Sequence, residues 1–127
     1  MTILVDTQCF YWSLCEPDLL SARAKHALQD SAGIKFLSVA VFWEMTIKSA
    51  LGKLTLPKPV EELWQETVGA GTAVLAIQPG HLAGLTSLPH HHRDPFDRLM
   101  IAQALVEGWP VLSSDDQWDA YGVQRIW

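Results

Sequence analysis

Residues 92–105 have the sequence HRDPFDRLMIAQAL, which predicts a helix around which the rest of the chain is organised. Pro95 has a fixed φ angle and no backbone N–H, which suits the first position of a helix, and Asp94 before it is a good N-cap residue. The helical character continues to Glu107, and Gly108 suits a helix end. We therefore expect a helix from Pro95 to Glu107.

Asp97 lies one turn inside this helix. It shares a face with Ile101 and Ala104, so its carboxylate points along a face that the fold must bury. A buried carboxylate needs a partner to stay ionised. Two interpretations are open: Asp97 is a second capping acid that bonds back toward Asp94, or it joins other acids in a functional site.

The composition indicates one globular domain over residues 1–127. Apolar residues make up 49% of the chain and charged residues 18%, which is typical of a protein with a real core. The chain shows no membrane-length apolar run and no signal peptide, so we expect a cytoplasmic protein with Cys9 and Cys15 as free thiols. Its net charge of −5 argues against a protein that coats nucleic acid, but not against a nuclease with clustered acids.

Short apolar runs alternate with helical segments along the chain. The runs suit strands buried on both faces and lie at 3–5, 34–37, 73–77, 110–112 and 123–127. The other predicted helices lie at 8–14, 22–31, 39–51, 60–68 and 80–88, with a helical turn at 118–121. This alternation predicts a three-layer α/β/α fold, with a parallel sheet of four to five strands joined by right-handed crossovers.

Four acids stand near the places where an open parallel sheet binds ligands. They are Asp6 after the first strand, Glu44 after the second, Asp97, and Asp115 after the fourth. If those three strands are neighbours, the carboxylates share one crevice, where their mutual repulsion favours a divalent cation. Oxygen ligands favour Mg²⁺ or Mn²⁺. The simpler interpretations are that Asp6 caps a helix and that Asp115 is a turn residue.

Glu44 also has an alternative interpretation. It shares one helix face with Ala40, Ile47 and Leu51, and this apolar stripe predicts a buried position. Lys48 follows one turn later, so the alternative is an exposed ion pair worth a few tenths of a kcal/mol. The two interpretations differ in whether Glu44 faces the crevice or the solvent.

Several segments resemble those of PIN-domain proteins, specifically the VapC-like toxins of bacterial type II toxin–antitoxin modules. They are Leu4-Val5-Asp6-Thr7, residues 41–48 and 51–54, residues 92–99 with their continuation to Ala104, and Leu112-Ser113-Ser114-Asp115. The resemblance runs nearly end to end, and the central segment is its most specific part. Ser113 replaces the usual Thr but keeps the hydroxyl, and in the pair Asp115-Asp116 the register favours Asp115.

The resemblance implies a metal-dependent endoribonuclease whose catalytic and metal-binding residues fall on Asp6, Glu44, Asp97 and Asp115. Mg²⁺ or Mn²⁺ is the expected cofactor. Hydrogen bonds to the carboxylates or to water are expected from Thr7 and Ser113. Candidates to hold the RNA backbone, with ordinary solvated charges as the alternative, are Lys48, Lys53, Arg93 and Arg98. The family also implies a homodimer and an antitoxin whose tail occupies the active-site groove, and a basic tail suits an acidic groove.

Other functions fit the sequence less well. A phosphoacceptor receiver domain requires an Asp at the end of the third strand, where this chain has Ala76-Ile77-Gln78-Pro79. A haloacid-dehalogenase-like phosphatase requires an Asp two residues after Asp6, where Gln8 stands. A non-catalytic PIN-like scaffold that acts through a protein partner is the remaining alternative, and the presence of all four acids argues against it.

Two further groups of residues are expected to have no catalytic role. His90, His91 and His92 precede the central helix, and we predict a solvated loop because consecutive histidines cannot easily face one ion. The six tryptophans are predicted to lie in the core or in an interface rather than to stack on bases.

Overall fold

The computed structural model describes all residues from Met1 to Trp127. Its centre is a five-stranded parallel sheet with the strand order β3-β2-β1-β4-β5. The strands are Thr2–Val5 (β1), Ile34–Ser38 (β2), Ala73–Leu75 (β3), Val111–Leu112 (β4) and Arg125–Ile126 (β5). The parallel sheet and its five strands confirm the predicted fold class.

Helices flank the sheet and connect its strands. They are Thr7–Cys15 (α1), Ala22–Gln29 (α2), Val39–Ala50 (α3), Val60–Gly69 (α4), Pro79–Thr86 (α5) and Pro95–Glu107 (α6). Two short 3₁₀ helices cover Pro17–Leu19 and Asp116–Tyr121. No helix combines the length and the apolar character that a membrane crossing requires.

The central position of β1 decides where the acids meet. Its last residue, Val5, pairs with Leu37 of β2 on one side and with Leu112 of β4 on the other. The first, second and fourth strands are therefore neighbours, as the convergence of the acids requires. Their carboxyl ends lie at one edge of the sheet, where ligands bind in folds of this type.

The predicted central helix is α6, and its bounds agree with the prediction. The Asp94 side chain accepts hydrogen bonds from the backbone N–H groups of Phe96 and Asp97, and Gly108 ends the helix with a φ of 74° in the left-handed region. Residues 99–104 are all buried, which is more than a full turn, so the middle of the helix is enclosed by its neighbours on every side.

The lengths of two strands and the buried face of one helix differ from the prediction. The third and fifth strands are shorter than predicted, because pairing ends at Leu75 in β3 and includes only Arg125 and Ile126 in β5. Ile47 in α3 and Leu51 just after it are 36% and 64% exposed, so the predicted buried stripe stops after Glu44 and Met45. Periodicity gives the direction of a helix face but not how far along the helix its packing partners extend.

Candidate active site

A cavity of about 210 Å³ opens at the carboxyl ends of β1 and β4. Five carboxyl groups line it, together with Lys48 and polar residues from α1 and from the segment after β4. The acidic residues are Asp6, Glu44, Asp94, Asp97 and Asp115. The structure thus brings together all four acids selected from the sequence and adds the capping residue Asp94.

Asp6 follows β1 directly and is only 5% exposed. Its Oδ1 accepts a hydrogen bond from the backbone N–H of Cys9 at 2.7 Å, so Asp6 caps α1 as well as lining the cavity. Burial raises the pKa of Asp6, while hydrogen bonding from the buried Ser113 hydroxyl and from Cys9 opposes that shift. The capping role and the site position therefore coexist in one side chain.

Asp97 lies in the first turn of α6 with its side chain 20% exposed. Burial and the negative charges of Asp94 and Asp6 raise the pKa of Asp97 to about 7, while His92 lowers it. The capping hydrogen bonds belong to Asp94, and the Asp97 carboxylate instead faces the other acids. The structure thus favours the site interpretation of Asp97 over the capping one.

Glu44 is 3% exposed, so its pair with Lys48 is not the exposed pair of the alternative interpretation. Its two oxygens accept hydrogen bonds from different donors, the Thr7 hydroxyl at 2.6 Å and the Lys48 ammonium at 2.5 Å. Burial lowers the pKa of Lys48, but the carboxylate of Glu44 more than offsets this and leaves that pKa raised. Thr7 therefore contacts an acid of the cavity, and Lys48 brings one positive charge to its wall.

Asp115 uses its two oxygens differently. Oδ1 accepts the backbone N–H of Gln117 at 3.0 Å and caps the 3₁₀ helix, which confirms a turn role. Oδ2 lies 2.8 Å from Nε2 of His92. The backbone N–H of Asp115 donates to the Ser113 hydroxyl at 3.1 Å, and Asp116 is exposed outside the cavity lining. The geometry therefore favours Asp115 over Asp116.

His92 corrects the prediction of a solvated histidine loop. Its side chain is 10% exposed, and its Nε2 lies 3.1 Å from Asp97 Oδ2 as well as 2.8 Å from Asp115 Oδ2. One ligand atom from each of these three residues lies within 4.8 Å of the others. The sequence offered one signal, since His92 stands two residues before a helix-capping Asp. The loop conformation that turns its ring inward depends on tertiary contacts.

The remaining cationic candidates lie outside the cavity lining. Lys53 and Arg93 are exposed. Arg98 donates through its guanidinium to the carbonyls of Leu88 and Pro89, at 3.3 and 2.7 Å, and thereby ties the histidine loop to α6. Of the four residues selected for RNA contact, Lys48 is the one beside the acids.

Comparison with known proteins agrees with this architecture. A family model described as PIN domain matches residues 3–124. The chain belongs to the PIN-domain family. This PIN domain is 28% identical over 115 residues to Ribonuclease VapC22 of Mycobacterium tuberculosis, across 90% of this chain and 87% of that protein.

Solved structures share the fold of this PIN domain at low sequence identity. VapBC2 from Rickettsia felis, crystallised with a DNA fragment from its promoter, gives a TM-score of 0.75 at 10% identity and covers 98% of this chain and 97% of that one. FitAcB from Neisseria gonorrhoeae gives 0.66 at 18% identity, covering 97% and 95%. VapBC-1 from nontypeable Haemophilus influenzae gives 0.64 at 16% identity, covering 98% and 96%.

The side chains of this PIN domain suit a divalent cation. Asp6 and Asp97 both have raised pKa values, because their carboxylates are buried beside other negative charges, and a bound cation would relieve that cost. The cavity offers carboxylate oxygens and hydroxyls without thiolates, which is the donor set that Mg²⁺ and Mn²⁺ prefer. Asp6, Asp97 and Asp115 line the cavity and could hold such an ion.

Proposed function

We propose that this PIN domain is a Mg²⁺- or Mn²⁺-dependent endoribonuclease and the toxin component of a type II toxin–antitoxin module. The observation that carries the proposal is the gathering of Asp6, Glu44, Asp97 and Asp115 around one cavity at the carboxyl ends of β1 and β4. The similarity to a protein named Ribonuclease VapC22 supports the same activity.

The proposed reaction assigns each group a task. A divalent cation held by Asp6, Asp97 and Asp115 would lower the pKa of a water molecule and offset charge on the phosphate. Glu44, fixed by Thr7 and Lys48, would orient the attacking water. The hydrogen bond from Ser113 would favour the ionised form of Asp6. Lys48 is placed to contact a phosphate of the RNA, because its side chain is 42% exposed at the cavity wall.

The direct test is cleavage of a structured RNA by the purified chain. We expect cleavage with Mg²⁺ or Mn²⁺, none in EDTA, and none by Asp97→Asn purified in parallel. A single-stranded DNA of the same sequence tests whether the activity is confined to RNA. Equal cleavage by wild type and Asp97→Asn would identify a contaminating nuclease. A folded wild type that binds Mn²⁺ but leaves a panel of RNAs intact would favour the non-catalytic scaffold.

An antitoxin partner and a homodimer complete the proposal. The net charge of −5 and the five carboxyl groups around the cavity suit a basic inhibitory segment of a partner. Expression in a bacterium should stop growth, and co-expression of the neighbouring reading frame should restore it. Asp97→Asn should permit growth without the partner. Light scattering should give the mass of two chains, and a monomer at all concentrations would contradict the dimer.

A further inference from the structure

The ring of His92 is held in one tautomer by its backbone surroundings. Nδ1 lies 3.0 Å from the backbone nitrogen of Asp94, whose N–H donates to it. A ring nitrogen that accepts a hydrogen bond carries no proton, so the proton of the neutral imidazole lies on Nε2. Nε2 of His92 is therefore a donor in this arrangement.

That donor lies between two carboxylates from different parts of the fold. Asp97 belongs to the first turn of α6, and Asp115 belongs to the segment after β4. Their Oδ2 atoms lie 3.1 and 2.8 Å from Nε2 of His92. Two carboxylates so close to one point repel each other, and a shared N–H donor offsets that repulsion.

The loop that carries His92 is itself fixed by hydrogen bonds. The phenol oxygen of Tyr121 accepts the backbone N–H groups of His91 and His92 at 2.9 and 2.7 Å. Arg98 donates to the same oxygen at 3.3 Å and to the carbonyl of Pro89 at 2.7 Å. The imidazole is therefore oriented before any ligand arrives, which limits the entropy lost when the site is used.

We propose that His92 is a positioning residue of the metal centre, which holds Asp97 and Asp115 together through a shared Nε2–H donor and is not itself a ligand. The inference rests on the proposed function, because it assumes that these carboxylates bind a divalent cation. It goes beyond that function by assigning a task to a side chain outside the four acids. Removal of such an outer partner typically weakens metal affinity by roughly 10–100-fold.

The competing role for His92 is direct ligation, since its Nε2 lies within 4.8 Å of both carboxylate oxygens. Ligation through Nε2 would require the ring to move its proton to Nδ1. That proton would then oppose the N–H of Asp94, which now donates to Nδ1. The geometry therefore favours the donor role.

Calorimetric titration of the full chain with Mn²⁺ provides the test. His92→Ala should weaken Mn²⁺ binding by roughly 10–100-fold. His92→Gln keeps an N–H donor at a similar distance from the backbone and should recover most of that loss. Electron spin-echo spectroscopy of Mn²⁺ on the wild type should show no directly coordinated nitrogen. His90→Ala, an exposed position on the same loop, should bind Mn²⁺ like the wild type.

Several outcomes would overturn the inference. Unchanged Mn²⁺ affinity in a folded His92→Ala would remove the positioning role, and nitrogen coupling in the wild type would make His92 a ligand. If His92→Ala does not fold, His92→Gln and the spectroscopy still decide. A wild type that binds no Mn²⁺ would defeat both this inference and the proposed metal dependence. A wild type that binds Mn²⁺ and cleaves RNA while His92→Ala binds equally well would defeat the inference alone.

Discussion

His81 and His92 make the same pattern of hydrogen bonds in two regions of the molecule. In each ring, Nδ1 accepts a backbone N–H at 3.0 Å, from Gln78 for His81 and from Asp94 for His92. In each ring, Nε2 faces a carboxylate. His81 contacts Glu107 at 2.9 Å in the last turn of α6, whereas His92 faces Asp97 and Asp115, two of the five acids of the cavity.

The difference lies in what surrounds each pair. His81 is 1% exposed and joins the start of α5 to the end of α6, so its contacts serve to dock two helices. His92 contacts Asp97 and Asp115, two of the five acids that line the cavity, so its Nε2 faces two carboxylates instead of one. Local hydrogen bonding therefore does not distinguish the two histidines. They differ in the number of carboxylates that face Nε2, which is one for His81 and two for His92.

Replacement of a carboxylate that faces each histidine, Asp97 for His92 and Glu107 for His81, should give the largest difference in RNA cleavage. Asp97→Asn should lower RNA cleavage by more than about 100-fold, because loss of a proposed metal ligand exceeds the effect of losing an outer partner. Its stability without metal should be equal or higher, since carboxylate repulsion is relieved. Glu107→Gln, the matched change opposite His81, should leave cleavage unchanged. Full activity of Asp97→Asn with a loss of roughly 0.5–2 kcal/mol would instead support the capping interpretation.

Truncation of His81 should have the opposite consequence, a loss of stability with no loss of metal affinity. His81→Ala should lower the free energy of unfolding by about 2–3 kcal/mol, because it leaves a cavity and removes the partners of the Gln78 N–H and of Glu107. Mn²⁺ affinity should stay at the wild-type value. Urea unfolding and calorimetry measure the two quantities separately. If His81→Ala lost Mn²⁺ affinity without losing stability, the distinction between the two histidines would fail.

The cavity should also determine how stability depends on pH. The pKa of Asp97 is about 7 in the folded protein, against roughly 3.9 in an unfolded chain. Between these values the folded state binds more protons, so the free energy of unfolding without metal should fall as pH rises from about 4 to about 7. Asp97→Asn should lose this part of the slope, whereas Glu107→Gln should keep it. Equal slopes in wild type and Asp97→Asn, measured by urea unfolding in EDTA, would contradict the raised pKa.

Local sequence predicts the features that depend only on residues close to one another in the chain. The Asp94 cap, the Pro95 start and the Gly108 end of α6 are short-range features, and all three are present. Asp6 and Asp115 follow from the rule that parallel strands present their carboxyl ends at one edge of a sheet. These positions need only the element order and the pairing of β1 with its two neighbours.

Residues that depend on distant contacts were less predictable. The loop that carries His92 is held by Tyr121, 29 residues away in the chain, whose hydroxyl accepts the backbone N–H of His92. Burial of Glu44 together with exposure of Ile47 depends on where the neighbours of α3 end. A helical stripe predicts the same environment for both, so tertiary packing decides the outcome.

The smallest expected effect on Mn²⁺ affinity comes from the hydrogen bonds between Tyr121 and the histidine loop. Tyr121→Phe keeps the ring but removes the oxygen that accepts the N–H groups of His91 and His92. His92 should then sample more orientations, and Mn²⁺ affinity should fall a few-fold, less than in His92→Ala because the donor itself remains.

The double variant Tyr121→Phe/His92→Ala should bind Mn²⁺ like His92→Ala, since the phenol acts on the metal centre through His92. Additive losses in the double variant would show that Tyr121 reaches the centre by another route. His81 lies in α5, so its contact with Glu107 should be unaffected, and unfolding in urea should show about 1–2 kcal/mol of lost stability, since the three missing hydrogen bonds are all at least partly open to water.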